Sequence, residues 1–281
     1  MRRLVLAFVL ALGFSALLIS PNVPARAAAP RQTLLAHGFG APDDIAWGPH
    51  GSIYFVDFGN SALNVLLPNG QRQVLVSKLP GPEGIVVLPD GTLVLAEQIP
   101  NQLVRIDPVR RTTRVLVSIP NPTTQAGIDG IALDSHSNAI VVPDSASGRI
   151  LRVALSSSVP PSARVTVVAH GLGRPVGALV EPSGNIIVVD EHLNGAFRID
   201  RNGAAHQVGG FLSVPDDVVS DGHGGFYVTC LGDGTVRHID SSGKPSLVAT
   251  GFASPQGLLR RADGTLIVTD EQRNSILAIH P

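Results

Sequence analysis

The chain has 281 residues, 21 basic against 22 acidic side chains, a net charge of −1, and 44% hydrophobic residues. With no basic run, neither nucleic acid nor an anionic membrane surface is an expected partner. The only cysteine is Cys230, so an internal disulfide is excluded and stability has to come from packing.

Residues 1–29 read as a secretory signal peptide. Arg2-Arg3 precede an apolar run from Leu4 to Ile19, and Ala25-Arg26-Ala27 offers a small-x-small cleavage site. The expectation is cleavage after Ala27 and a secreted or periplasmic protein with no membrane insertion afterwards; an uncleaved anchor is the alternative. No cysteine follows the apolar run, which removes a lipid anchor. About 250 residues remain, enough for one large core. They show no linker, so 30–281 is expected to be one domain, and a monomer.

The first predicted strand is the apolar run around Thr33-Leu34-Leu35. After it a pattern recurs six times. One column holds Asp44, Gly84, Gly130, Gly177, Asp217 and Gly257, at spacings of 40, 46, 47, 40 and 40. A second column follows each by 13 or 14 residues: Asp57, Glu97, Asp144, Asp190, Cys230 and Asp270. Between the columns lie turns such as Pro89-Asp90-Gly91, Pro182-Ser183-Gly184 and Asp221-Gly222-His223-Gly224-Gly225. The runs alternate with period two or are wholly apolar, rich in Val, Ile and Leu, as in strands. A period near 40 with several short strands per unit is the mark of propeller blades. The fold class is therefore all-β, a six-bladed propeller of four-stranded blades.

Each repeat also carries a later apolar run, such as Val74-Leu75-Val76, Val165-Thr166-Val167-Val168 or Leu247-Val248, suited to an outer fourth strand. The chain starts with such a run and ends one short, at Ile276–Ile279. Residues about 32–37 are thus expected to complete the last blade, closing the ring and covering an open edge.

The strand order sets both columns at one mouth of the central channel. The residue before the first column is Asp43, Glu83, Asp129, Val176, Asp216 and Gln256 in turn. Carboxylates converging on one axis repel each other, and either protonation or a hard cation such as Ca²⁺ relieves them. A cation would polarise an ester carbonyl, and a spare carboxylate would act as general base. The other reading has these acids capping backbone N–H groups or solvated in a wide channel. For the second column the structural reading leads: aspartates such as Asp57, Asp190 and Asp270 hold local backbone N–H groups. Cys230 is expected to be a small buried apolar residue. His192, in a mouth-side loop, either binds metal or shuttles protons, or is merely exposed. Pro120–Gly127 is an insertion at the mouth and a candidate lid; Ser156–Pro161 is an insertion on the opposite face.

The repeats resemble NHL-type blades. The six-blade count, Pro215-Asp216 with Val228-Thr229-Cys230, and Trp47 with Phe55-Val56-Asp57 resemble the SMP-30/gluconolactonase superfamily. The resemblance implies a divalent cation, Ca²⁺ first, at the channel mouth and the opening of lactones. The family's blade-one acid falls on Asp43, and its blade-five ligand and base falls on Asp216. Its blade-four Asn falls on Val176, which cannot ligate, its blade-three Asn on Ile128, and its substrate-binding Arg on Ala126. The expected site is then Asp43, Asp129 and Asp216 around the ion with Glu83 assisting, Asp216 as base, and Gln256 and His192 on the substrate side. Streptogramin lyases, which are related, carry mouth histidines where Asp216 and Gln256 stand here, and that reading is weaker. The competing class is a non-enzymatic NHL-type platform binding a protein or a glycan rather than a small-molecule substrate.

Overall fold

A computed structural model describes residues 30–120, 126–156 and 164–280. Six four-stranded antiparallel sheets form a ring, and their order follows the chain except at its ends. The innermost strands are Pro42–Trp47, Pro82–Val87, Ala132–Asp134, Pro175–Val180, Pro215–Ser220 and Pro255–Arg260. The last blade takes its outer strand from the start of the chain. Arg31–His37 pairs antiparallel with Ser275–His280, Arg31 opposite His280 and His37 opposite Ser275. The expected closure is therefore observed, and the covered edge removes a template for unwanted pairing. The expected signal peptide lies outside the described residues, as do residues 121–125 of the expected lid and most of the other insertion. Among the described residues no helix is long and apolar enough to cross a membrane.

The apolar side chains sort into clusters between neighbouring blades. Tyr54, Val56 and Leu63 of blade one pack on Ile85, Leu93 and Leu95 of blade two. Phe39, Ile45 and Phe55 of blade one pack on Ile267 and Ile276 of blade six. Both faces of each middle strand are covered, so strands such as Ile53–Asp57 and Leu93–Glu97 are buried throughout. This is why they read as continuous apolar runs rather than alternating ones.

The inner strands are irregular at one end only. In blade one the pairing passes from Pro42 opposite Asp57 to Ile45 opposite Phe55, so Asp43 and Asp44 face a single partner residue. The same bulge occurs between Pro82 and Ile85, between Pro215 and Val218, and between Pro255 and Leu258. A bulge bends the strand and re-aims the extra side chain. Here it does so at the same end of four blades, freeing Asp43, Glu83, Asp216 and Gln256 from the ladder. Blade three reaches the same place without a regular strand start. Asn101 Oδ1 accepts the Ile128 N–H at 2.7 Å and so sets the approach to Asp129.

Candidate functional site at the channel mouth

The second-column aspartates hold the mouth loops in place. Asp57, 1% exposed, accepts hydrogen bonds from the Gly40, Ala41 and Asn60 N–H groups and from the Asn60 side chain. Asp190 accepts from Gly173, Arg174 and Leu193, and Asp270 from Ala253 and Ser254. Each carboxylate ties the turn of its own blade to the loop that enters that blade, which extends the expected local role. Asp144 departs from it by pairing with Arg149, and Glu97 by accepting from Gln102 at 2.6 Å. Cys230 is buried in the apolar seam between blades four and five. Burial pushes its thiol up to about 11, so it is a packing residue as expected and not a thiolate.

On this frame Asp43, Glu83, Asp129, Asp216 and Gln256 line one cavity of about 180 Å³. The expected mouth residues therefore converge, from five blades. Phe58 and Leu231 supply apolar wall, and Gln98 and Glu271 complete the rim. His192 is exposed and does not line the cavity, so its expected place on the substrate side is corrected. It packs on Gly173, where an added Cβ would stand 2.9 Å from the His192 Cβ.

Blade four contributes differently from the sequence reading. Val176 is buried, and Arg174, two residues earlier, enters the cavity instead. Its guanidinium lies 3.2 Å from Asp129 and is also paired with Glu191. Gln256 donates to Glu271 at 3.0 Å, and Ser254 donates to the same carboxylate at 3.1 Å. Arg174, Glu191 and Glu271 were missed because the column alignment samples one residue per blade. The basic residue directly before Pro175 and the acids that follow Asp190 and Asp270 were the available signals.

Immediately before Pro215-Asp216, Val214 adopts φ +47°. A β-branched residue seldom adopts that conformation, and it marks a position held by its surroundings. Asn194 Oδ1 accepts the Val214 N–H, and the Val214 carbonyl accepts from Leu231. The backbone that presents Asp216 is thus fixed from blade four and from its own blade.

The setting raises the proton affinity of the mouth carboxyls. Burial first, then the charge of Asp129, pushes Asp43 up to about 8. Burial, Asp43 and Asp129 raise Glu83 and Asp216 well above the usual carboxylate range. Burial raises Asp129 as well, while Arg174 opposes it. Asp43 and Glu83 lie close enough for each to act on the proton affinity of the other.

Behind the mouth, Asp44 and Asp217 head a second, separate opening of about 360 Å³ that runs to the other face between Trp47, Leu133, Val180 and Leu259. Their carboxylates bind backbone N–H groups. Strand-start capping therefore exists, but on the first-column aspartates rather than on the mouth acids.

A divalent cation suits the mouth in charge and not in arrangement. Among the described residues no three His, Cys, Asp or Glu side chains are grouped so as to hold a metal ion. Arg174 is already paired with Asp129. The set Asp43, Glu83, Asp129 and Asp216 is assembled as a cavity wall and not as a coordination shell.

No protein-family model matches the sequence, and no curated protein matches it. Solved structures do resemble the fold. A gluconolactonase from Xanthomonas campestris superposes with a TM-score of 0.74 at 16% identity, over 89% of each chain. Virginiamycin B lyase from Staphylococcus aureus gives 0.68 at 14% identity, over 90% of this chain and 99% of that one. An auxiliary nutrient binding protein from Bacteroides thetaiotaomicron gives 0.71 at 13% identity, over 86% of this chain and 69% of that one. At these identities the likeness establishes architecture, and the chain is a six-bladed β-propeller of the kind that gluconolactonases and streptogramin B lyases share.

Proposed function

We propose that this protein is a propeller enzyme that hydrolyses an ester or lactone at the acidic mouth. The observation that carries the reading is the convergence of Asp43, Glu83 and Asp216 from three blades on one small cavity, with raised proton affinities. Groups tuned in this way suit proton transfer near neutral pH. Asp216, once deprotonated, takes a proton from water as the resulting hydroxide adds to the carbonyl carbon. Glu83, raised by burial and by Asp43, gives a proton to the leaving oxygen. Arg174, whose five N–H groups exceed the two pairs it makes, steadies the oxyanion. Gln256 orients the substrate. No step is assigned to a metal ion. The gluconolactonase of like fold supports a lactone as first substrate. We further propose export of the chain, on the strength of its N-terminal residues.

A binding platform without catalysis is the second reading, supported by the nutrient binding protein of like fold. The test is turnover of a panel of lactones and aryl esters by residues 30–281, with chelator and with added calcium. Hydrolysis that falls by about 10²–10⁴-fold in Asp216→Asn, with the fold retained, supports the enzyme. Turnover that appears only with calcium would restore the cation as a cofactor. No turnover under either condition leaves the platform.

A further inference from the structure

The chain supplies its other buried and half-buried aspartates around the mouth with donors. Asp44 and Asp217 each accept two backbone N–H groups. Asp57, Asp190 and Asp270 take two or more backbone N–H groups apiece. Asp144 has the Arg149 guanidinium. Asp43, Glu83 and Asp216 break this rule together. Among the described residues none of the three has a hydrogen bond from an N–H group or hydroxyl, or an ion pair. Glu83, 6% exposed, lines the cavity. A buried carboxyl left without donors is costly, and the half-buried Asp43 and Asp216 face the same space.

The cavity's own cation does not relieve them. Arg174 pairs with Asp129 and Glu191 and Gln256 with Glu271, and neither is bonded to the three acids. The missing partner has to bring both positive charge and hydrogen-bond donors. A neutral polyol brings donors without charge. A metal ion brings charge, but the acids are not grouped to coordinate one. An organic ammonium brings one charge and three N–H donors, matching three acceptor carboxyls from three blades. Phe58 and Leu231 line the same cavity and suit the carbon skeleton of an amine, the ring also attracting the cation.

We propose that the mouth binds a small primary ammonium group, so that the ligand or substrate is an amine-bearing molecule seated between Asp43, Glu83 and Asp216 against Phe58. The inference rests on the mouth being the functional site, as in the proposal above, and not on hydrolysis taking place there.

The probe is n-butylammonium, with n-butanol as its uncharged counterpart and calcium chloride as the competing cation. Binding is measured by calorimetry on residues 30–281 at constant ionic strength in an amine-free buffer. The expected result is saturable binding of butylammonium, at least tenfold tighter than butanol, and weakened at least tenfold in Glu83→Gln. Asp216→Asn serves as the second variant if Glu83→Gln does not fold. Glu181→Gln, on the opposite face and paired with Arg198, is expected to bind as the parent does. Equal affinity for butylammonium and butanol, binding of calcium alone, or no binding at all would overturn the inference. Ammonium binding without turnover of any ester or lactone sinks the hydrolase reading and leaves this one standing. Turnover of uncharged lactones with no ammonium binding does the reverse.

Discussion

Asp44 accepts the backbone N–H of Ile85 at 2.8 Å, across the seam between blades one and two. Asp217 does the same for Leu258 at 2.7 Å, between blades five and six. The other blades place Gly84, Gly130, Gly177 and Gly257 at this position, each packed on the backbone of the next blade. The ring is therefore joined in two ways: four seams close by backbone contact at a glycine, and two are spanned by a carboxylate.

The two kinds of seam respond to different substitutions. A Cβ at Gly84 would stand 2.6 Å from the Asp129 carbonyl oxygen, and one at Gly177 2.4 Å from that of Asp216. Either Gly→Ala change is expected to cost about 1–3 kcal/mol through forced backbone displacement. Asp44→Ala at pH 6 strands the Ile85 N–H and is expected to cost about 1–3 kcal/mol. Thermal unfolding checks all three, at roughly 2–4 °C per kcal/mol for a chain of this size.

Asp57→Ala is expected to be more damaging than either seam change. It removes the acceptor for three backbone N–H groups and one side-chain amide at once, a loss on the order of 4 kcal/mol. Asp57→Asn, which keeps one acceptor oxygen, should fall between the two. Urea unfolding of the pair, with an unchanged m-value, is the measurement.

Removing residues up to His37 should open the ring. Among the described residues, the strand Arg31–His37 is the only cover for the edge of Ser275–His280. Its loss forfeits a full ladder, several kcal/mol in total at about 1 kcal/mol per hydrogen bond. The truncated chain is expected to unfold at lower temperature and to associate in light scattering through the exposed edge. An unchanged unfolding temperature would mean that the strand merely decorates the blade.

Stability is expected to fall as pH rises from about 4 to about 8. Burial, then Asp129, raises Asp43 to about 8, and burial raises Asp217 to about 7. The folded state thus binds more protons than the unfolded state in that window. Stability then declines with pH as the folded carboxyls are forced to ionise. Groups held low, such as Asp221 beside His238, act in the opposite sense and only below pH 4. The unfolding temperature in amine-free buffer should be several degrees higher at pH 5 than at pH 8.5, and Asp43→Asn should flatten the slope.

The repeat columns determined the blade count, the closure by the N-terminal strand and the choice of Asp43, Glu83, Asp129, Asp216 and Gln256. Those features follow from period-two and period-40 patterning, and any chain that satisfies them must bring equivalent positions to one mouth. The aspartates of the second column were legible for the same reason, since an Asp before a turn has few other uses for its oxygens. Tertiary structure alone decided the rest. Arg174 replaces the silent Val176 because a long side chain can reach the axis from two residues away, and a repeat alignment does not encode reach. His192 stays outside the cavity lining and packs on Gly173 instead. Which carboxylates receive donors was also invisible in the sequence. Asp43 and Asp44 are neighbours in an identical acidic pair, and the bulge turns one into the seam, where backbone N–H groups meet it, and the other into the cavity, where none do.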